Sequence, residues 1–246
     1  MSSATTAVLY APGTNCHEET ASAIELAGGK AEVVLLHDLL DGTRRLKDFQ
    51  AAVIPGGFSY GDHLGAGRVF ATLLVARLGE RLQEFLTAGK PLLGICNGFQ
   101  VLSEAGVLPC RSLGRPAMAL LENESARFED RKVRLIVTPL ESLWTRGLSG
   151  QILEMPSAHG EGRVFSQGAD CPGGFRAALR YADAAGNPAL SFPENPNGSK
   201  DAIAGITDET GLVLGLMPHP ERASFPANDS QDGLKIFKNL VDWLEE

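Results

Sequence analysis

The stretch 91–106, PLLGICNGFQVLSEAG, constrains the fold more than any other part of this 246-residue chain. Its opening run, Leu92-Leu93-Gly94-Ile95, is apolar, short and sharply flanked, the pattern of a buried strand. Phe99, Val101, Leu102 and Ala105 then fall on one helix face, and Gly106 stops the helix. Between the two lies Cys96, in Gly94-Ile95-Cys96-Asn97-Gly98. This G-x-C-x-G is the thiol counterpart of the G-x-S-x-G elbow, where a strained strand-to-helix turn pushes a nucleophile out of the sheet. Glycines on either side let the helix cross close over the strand. A cysteine there meets unpaired N–H groups and the positive helix end, which favour the thiolate. A small buried residue in a βα turn is the other reading of the same pentapeptide.

The flanking chain supplies the sheet for such an elbow. Residues 7–11, 31–36 and 51–54 read as strands. Helical patterns over 17–28 and 65–88 separate or follow them, and the Cys96 strand comes next. That alternation predicts a parallel central sheet with helices on both faces and chemistry at the strands' carboxyl ends. After Pro109 the texture changes. Residues 117–121, 132–137, 151–155, 175–181 and 202–207 look like successive strands joined by Gly-, Pro- and Asn-rich turns. They are read as an antiparallel β layer added to the same domain, so 1–246 is expected to form one domain. Residues 212–217 give a last apolar strand, and Asp229 or Ser230 is expected to cap a closing helix over 231–245.

A net charge of −8 with no basic block excludes nucleic acid as the expected partner. The opening residues show no charged segment leading into a long apolar run, and no stretch approaches membrane-spanning length. A cytoplasmic protein without a membrane association is therefore expected. Cys16, Cys96, Cys110 and Cys171 are dispersed without C-x-x-C, so neither a zinc site nor a disulfide framework is suggested. No H-E-x-x-H, phosphate loop or dinucleotide fingerprint is present, and no metal or cofactor is expected in this chain.

A thiolate nucleophile needs a base, and the chain offers five histidines. His17 and His37 have ordinary surface explanations, and His63 and His159 are read as lying in Gly-rich loops. His219 follows a buried strand, in Pro218-His219-Pro220-Glu221-Arg222. Proline after it favours extended backbone, in which Glu221 lies on the same side as His219 and fixes the ring's tautomer. A polar turn after a strand is the plainer reading of an isolated H-P-E. Acyl transfer also needs an oxyanion site. Pro55-Gly56-Gly57-Phe58 ends the third strand, and the N–H of Gly57 paired with that of Asn97 is the natural hole. Pro-Gly-Gly also marks ordinary turns. Three such signals at three strand ends, in one order, point to acyl chemistry.

Together PGGF, GICNGFQ and HPE resemble the class I glutamine amidotransferases, with their flavodoxin-like fold. PGTNC, PGGFSYGD, GICNGFQVLSEAGVLP, SAHGEG, PENPNGS and GLMPHPER narrow the resemblance to the glutaminase subunits of phosphoribosylformylglycinamidine synthase, and they extend from residue 12 to 222. The resemblance implies that Cys96 attacks the side-chain amide of glutamine, with His219 and Glu221 completing the triad. Gly57 and Asn97 would supply the oxyanion N–H groups. Gln100 is similar to the class's substrate-contacting glutamine. Phe58, with His159 and Gly160 in the 158–161 segment, would contact the substrate too. Ammonia would pass to a large synthetase subunit, PurL, bridged by a small subunit, PurS. ATP and magnesium would belong to that synthetase. Residues 115–126 look looser than the family's usual segment, and 142–150 and 168–187 look expanded.

Two other readings share the layout: a stand-alone cysteine hydrolase of the DJ-1/PfpI type, and a non-catalytic regulatory module. The first has no need of an H-P-E after the last strand. The second would be marked by loss of the cysteine or histidine, and both are present.

Overall fold

The computed structural model describes residues 4–166 and 175–246. Short apolar runs such as Ala51-Ala52-Val53-Ile54 and Leu92-Leu93-Gly94-Ile95 have no polar face, so they are stable only inside a sheet covered on both sides. That is where they lie. The first half of the chain runs β1 (Thr5–Tyr10), α1 (His17–Leu26), β2 (Lys30–Leu35), α2 (Leu36–Asp41), β3 (Ala51–Ile54), α3 (Arg68–Thr87), β4 (Leu92–Ile95) and α4 (Asn97–Glu104). The second half adds β5 (Ala119–Glu122), β6 (Glu129–Val137), β7 (Ile152–His159), β8 (Glu161–Phe165), β9 (Arg176–Ala182), β10 (Ile203–Thr207), β11 (Val213–Leu216) and α5 (Leu234–Glu245).

Nine strands form one sheet in the order β2-β1-β3-β4-β11-β10-β9-β6-β7. From β2 through β11 all pairings are parallel, and from β11 to β7 all are antiparallel. The antiparallel strands thus mostly prolong the central sheet sideways, and β5 and β8 pair as a separate ribbon. Last in the chain among the strands, β11 inserts beside β4 in register, Gly215 opposite Gly94 and Leu216 opposite Ile95. That pairing sets the residues after β11 next to the residues after β4. Two helix groups cover the parallel half, α1 with α5 and α3 with α4. A continuous core runs from Val8 and Val53 through Leu93 and Phe99 to Leu179 and Phe237.

Several expectations need correction. His159 is not in a loop: it ends β7, whose alternating burial turns His159 inward. The closing helix begins at Leu234, and neither Asp229 nor Ser230 caps it. The Ser230 hydroxyl instead accepts from the Asp232 N–H at 3.1 Å, in a turn before the helix. The strand β8 follows β7 after the single residue Gly160, too close for turn residues to announce it. Cys110 is disulfide-bonded, contrary to the expectation drawn from cysteine spacing. Cys171 and the first part of the expanded stretch 168–187 lie outside the described residues. The 142–150 stretch packs into the body of the protein, where buried Trp144 donates from Nε1 to the Leu212 carbonyl at 3.0 Å.

Candidate active site

Cys96 stands at the turn from β4 to α4 with φ 51° and ψ −106°, a conformation costly for a residue with a Cβ. The glycines beside it explain how the elbow closes. A Cβ on Gly98 would lie 1.9 Å from the Ile54 carbonyl oxygen, and one on Gly94 would lie 2.6 Å from that of Gly98. The helix therefore rests directly on two strands, and no larger residue fits. The Cys96 N–H donates to the Leu216 carbonyl at 2.8 Å, and the Cys96 carbonyl accepts from Phe99 and Gln100. With backbone held on both sides, the side chain is aimed rather than free. Its sulfur lies 3.6 Å from the Ala158 carbonyl oxygen of β7.

His219 comes three residues after β11, and its N–H donates to Pro156 of β7 at 2.8 Å. Its Nδ1 lies 2.6 Å from Glu221 Oε1, with both side chains almost wholly buried. The sequence expectation was an extended approach. The chain instead turns: Pro220 is in the right-handed helical region (φ −65°, ψ −32°) and Glu221 opens a short 3-10 turn. That turn is tied by Ala223 N–H and Ser224 Oγ–H, both donating to the Pro220 carbonyl. Proline fits this first turn because its φ is already set. Burial works against a charged imidazole here, but the Glu221 carboxylate and the Cys96 sulfur outweigh it and hold the His219 pKa well above the ordinary histidine value. Among the described residues Nε2 has no hydrogen-bond partner.

Cys96, His219, Gly57, Phe58, Gln100, His159 and Gly160 all line one cavity of about 280 Å³. Gly57 has φ 146°, and a Cβ there would meet the backbone of residues 13–15 at 2.7–2.8 Å. The N–H groups of Gly57 and Asn97 make no hydrogen bond among the described residues, as an oxyanion site requires. Phe58 is half-exposed at the rim, its ring 6.4 Å from that of Phe128. The Asn97 side chain is fixed from three sides. Its Oδ1 accepts from Ser59 N–H at 3.1 Å, and its Nδ2 donates to Asp62 Oδ1 at 3.2 Å and Gln100 Oε1 at 2.9 Å. Gln100 Nε2 in turn donates to the Glu161 carbonyl at 2.5 Å. This chain of bonds ties the β3 loop, the elbow helix and the β7–β8 hairpin to one geometry.

His159 sits deep in the cavity wall. Burial first, then the nearby His219, lower its pKa to about 3, and its Nδ1 is 3.1 Å from Asn123 Oδ1. It is a neutral ring held in place.

Three side chains at the cavity escaped sequence reasoning. Asp62, from FSYGD, holds Asn97 and the Gly67 N–H; burial raises its pKa, against those two bonds. Cys16, from PGTNC, places its sulfur 4.0 Å from His219 Nδ1 and 3.1 Å from Arg222 Nη2. Arg222, next to Glu221, also reaches Glu19 at 3.1 Å. Each lies inside a quoted motif, but only the fold shows what it touches. The PENPNGS motif is a brace: Asn197 Nδ2 donates to the Gly162 carbonyl and lies 3.1 Å from the Tyr181 hydroxyl, and Ser199 Oγ accepts from Val164 N–H.

Comparison with known proteins agrees with this geometry. Residues 3–244 match the CobB/CobQ-like glutamine amidotransferase domain family. The phosphoribosylformylglycinamidine synthase subunit PurQ of Dehalococcoides mccartyi is 41% identical, the match covering 100% of both chains. That of Pyrococcus furiosus is 43% identical over 97% of both. A chain in the solved structure of PurLQS from Thermotoga maritima superposes with a TM-score of 0.80 at 33% identity, covering 98% of this chain and 99% of its own.

Proposed function

The chain belongs to the PurQ family of phosphoribosylformylglycinamidine synthase subunits, within the CobB/CobQ-like glutamine amidotransferases, and we infer from this that its cavity releases ammonia from glutamine. It is a glutamine amidotransferase subunit acting in purine biosynthesis. The observation that carries the site assignment is the meeting of an elbow cysteine with a buried His219–Glu221 pair in one cavity.

The chemistry follows from the atoms. With Nδ1–H donated to Glu221, Nε2 takes the Cys96 thiol proton and the ring carries both protons as an imidazolium, the form its raised pKa favours. The Cys96 sulfur attacks the amide carbon of glutamine, and the N–H groups of Gly57 and Asn97 receive the developing oxyanion. His219 returns the proton to the amide nitrogen, ammonia departs, and a glutamyl thioester remains on Cys96. Water, deprotonated by His219, then frees glutamate. Gln100, Phe58, His159 and Gly160 form the walls around the substrate.

Ammonia is consumed by the large synthetase PurL, with PurS as the small third subunit. ATP and magnesium act on that partner, and this chain needs neither. The shared name of the Thermotoga maritima assembly supports the grouping. Residues 1–246 work as one domain, which the unbroken nine-stranded sheet supports, and the cytoplasm is the proposed compartment.

The test is a reconstituted synthase carrying Cys96→Ala. Glutamine-dependent synthesis should fall to background while ammonia-dependent synthesis continues at the native rate. Normal use of glutamine by the variant would remove Cys96 from its role.

A further inference from the structure

The mechanism gives no task to Cys16, a second buried thiol facing the same cavity. It is not isolated. Its sulfur, a nitrogen of His219 and a carboxylate oxygen of Glu221 all lie within 4.8 Å of one another, and all three residues are buried. Glu221 Oε2, fully buried, has no hydrogen-bond partner among the described residues. Thiolate, imidazole and carboxylate are the donor set of a borderline-soft divalent ion. The Cys16 sulfur also lies 3.1 Å from Arg222 Nη2 and 3.2 Å from Asn15 Oδ1.

We propose that Cys16, His219 and Glu221 form an inhibitory site for a divalent ion of the zinc type, which silences the glutaminase by occupying Nδ1 of its base. Distances decide whether the ion fits. Bonds of about 2.3 Å to sulfur and about 2.0 Å to nitrogen let one ion bridge atoms up to about 4.3 Å apart. The observed sulfur–Nδ1 separation is 4.0 Å, within that span. Charge also balances: one thiolate and one carboxylate neutralise a doubly charged ion in a place where an unpaired charge would be costly. Arg222 loses the sulfur to the ion but keeps Glu19.

The consequence for the base is stereochemical. On binding, the Cys16 thiol and the protonated imidazole each give up one proton to solvent, the ring losing the one on Nδ1. The imidazole, its Nδ1 now bonded to metal, carries its one proton on Nε2. With Nδ1 on the metal the ring holds one proton where the working imidazolium holds two, so it cannot carry a proton between Cys96 and the leaving ammonia, and the 2.6 Å bond to Glu221 is broken open by the ion. No electrons are exchanged, so removal of the ion restores the thiol and the working tautomer.

The site is tested with Co²⁺ as a spectroscopic probe on the full chain, in the native form and in the single variants Cys96→Ala, Cys16→Ser and Glu221→Gln. A thiolate-to-cobalt charge-transfer band should appear in the native chain and in Cys96→Ala, and be absent from Cys16→Ser. Glu221→Gln should keep the band with an affinity weakened about tenfold or more. A band that vanishes with Cys96→Ala and survives Cys16→Ser would put the ion on the nucleophile and overturn the proposal. So would no band in the native chain, or an unchanged affinity in Glu221→Gln. The measurement reads binding without turnover, so it fails or succeeds separately from the glutaminase assignment.

Discussion

Glu221 is completely buried, and its Oε1 is held 2.6 Å from a ring that, in the proposed cycle, gains and loses a proton. Replacing it with glutamine keeps the shape and removes the charge that selects the tautomer. Glu221→Gln should lower kcat by about 10²–10⁴-fold with little change in KM, and leave the circular dichroism spectrum native. His159 gives a second prediction, from stability. Its folded pKa of about 3 lies below its ordinary 6.5, so above pH 6.5 the ring is neutral folded or unfolded. As pH falls below 6.5 the unfolded chain binds a proton that the native ring refuses until about pH 3, and stability declines throughout that window. Between pH 7 and pH 4 this amounts to roughly 3 kcal/mol, at about 1.4 kcal/mol per pKa unit. Urea unfolding of His159→Gln should show a shallower loss over that range than the native chain. At this scale the motifs singled out Cys96, His219 and Glu221, three side chains that the fold brings together. The sequence was silent on Cys16 and Asp62, whose importance lies in neighbours 203 and 35 residues away.

Among the elements, the β4–α4 elbow was legible from its glycines. What was not legible is how tight it is, because the closest approach is to β3, a different strand. Gly98→Ala sets a methyl against the Ile54 carbonyl, with 1.9 Å between them before relaxation. Helix α4 must lift, at a cost of about 2 kcal/mol or more, which thermal unfolding should register as a lowered Tm. Glutaminase activity should fall further than stability explains, since Cys96 and Asn97 move with the helix. The strand β7 was read too short for a related reason. Apolar alternation ends at Met155, but the inward positions continue as Ser157 and His159, polar residues of which His159 lines the cavity. Polar inward residues defeat pattern reading where function needs them.

For the whole molecule, the parallel half could be drawn from strand–helix rhythm alone. The antiparallel half could be recognised as strands, but its role could not. Its edge strand β7 presents Ala158 to the Cys96 sulfur and Pro156 to the His219 N–H, so the late strands form the far wall of the cavity. Long-range pairing of this kind leaves no periodic trace, because it depends on β11 returning to lie between β4 and β10. The central claim is that this return makes Cys96, and not the neighbouring Cys16, the nucleophile. A glutamine analogue bearing a diazoketone in place of the amide tests it most directly, with the labelled chain mapped by mass spectrometry. One adduct, on Cys96, blocked by excess glutamine and slowed in Glu221→Gln, is the predicted result. An adduct on Cys16, or labelling of Cys96 indifferent to glutamine and to Glu221, would contradict it.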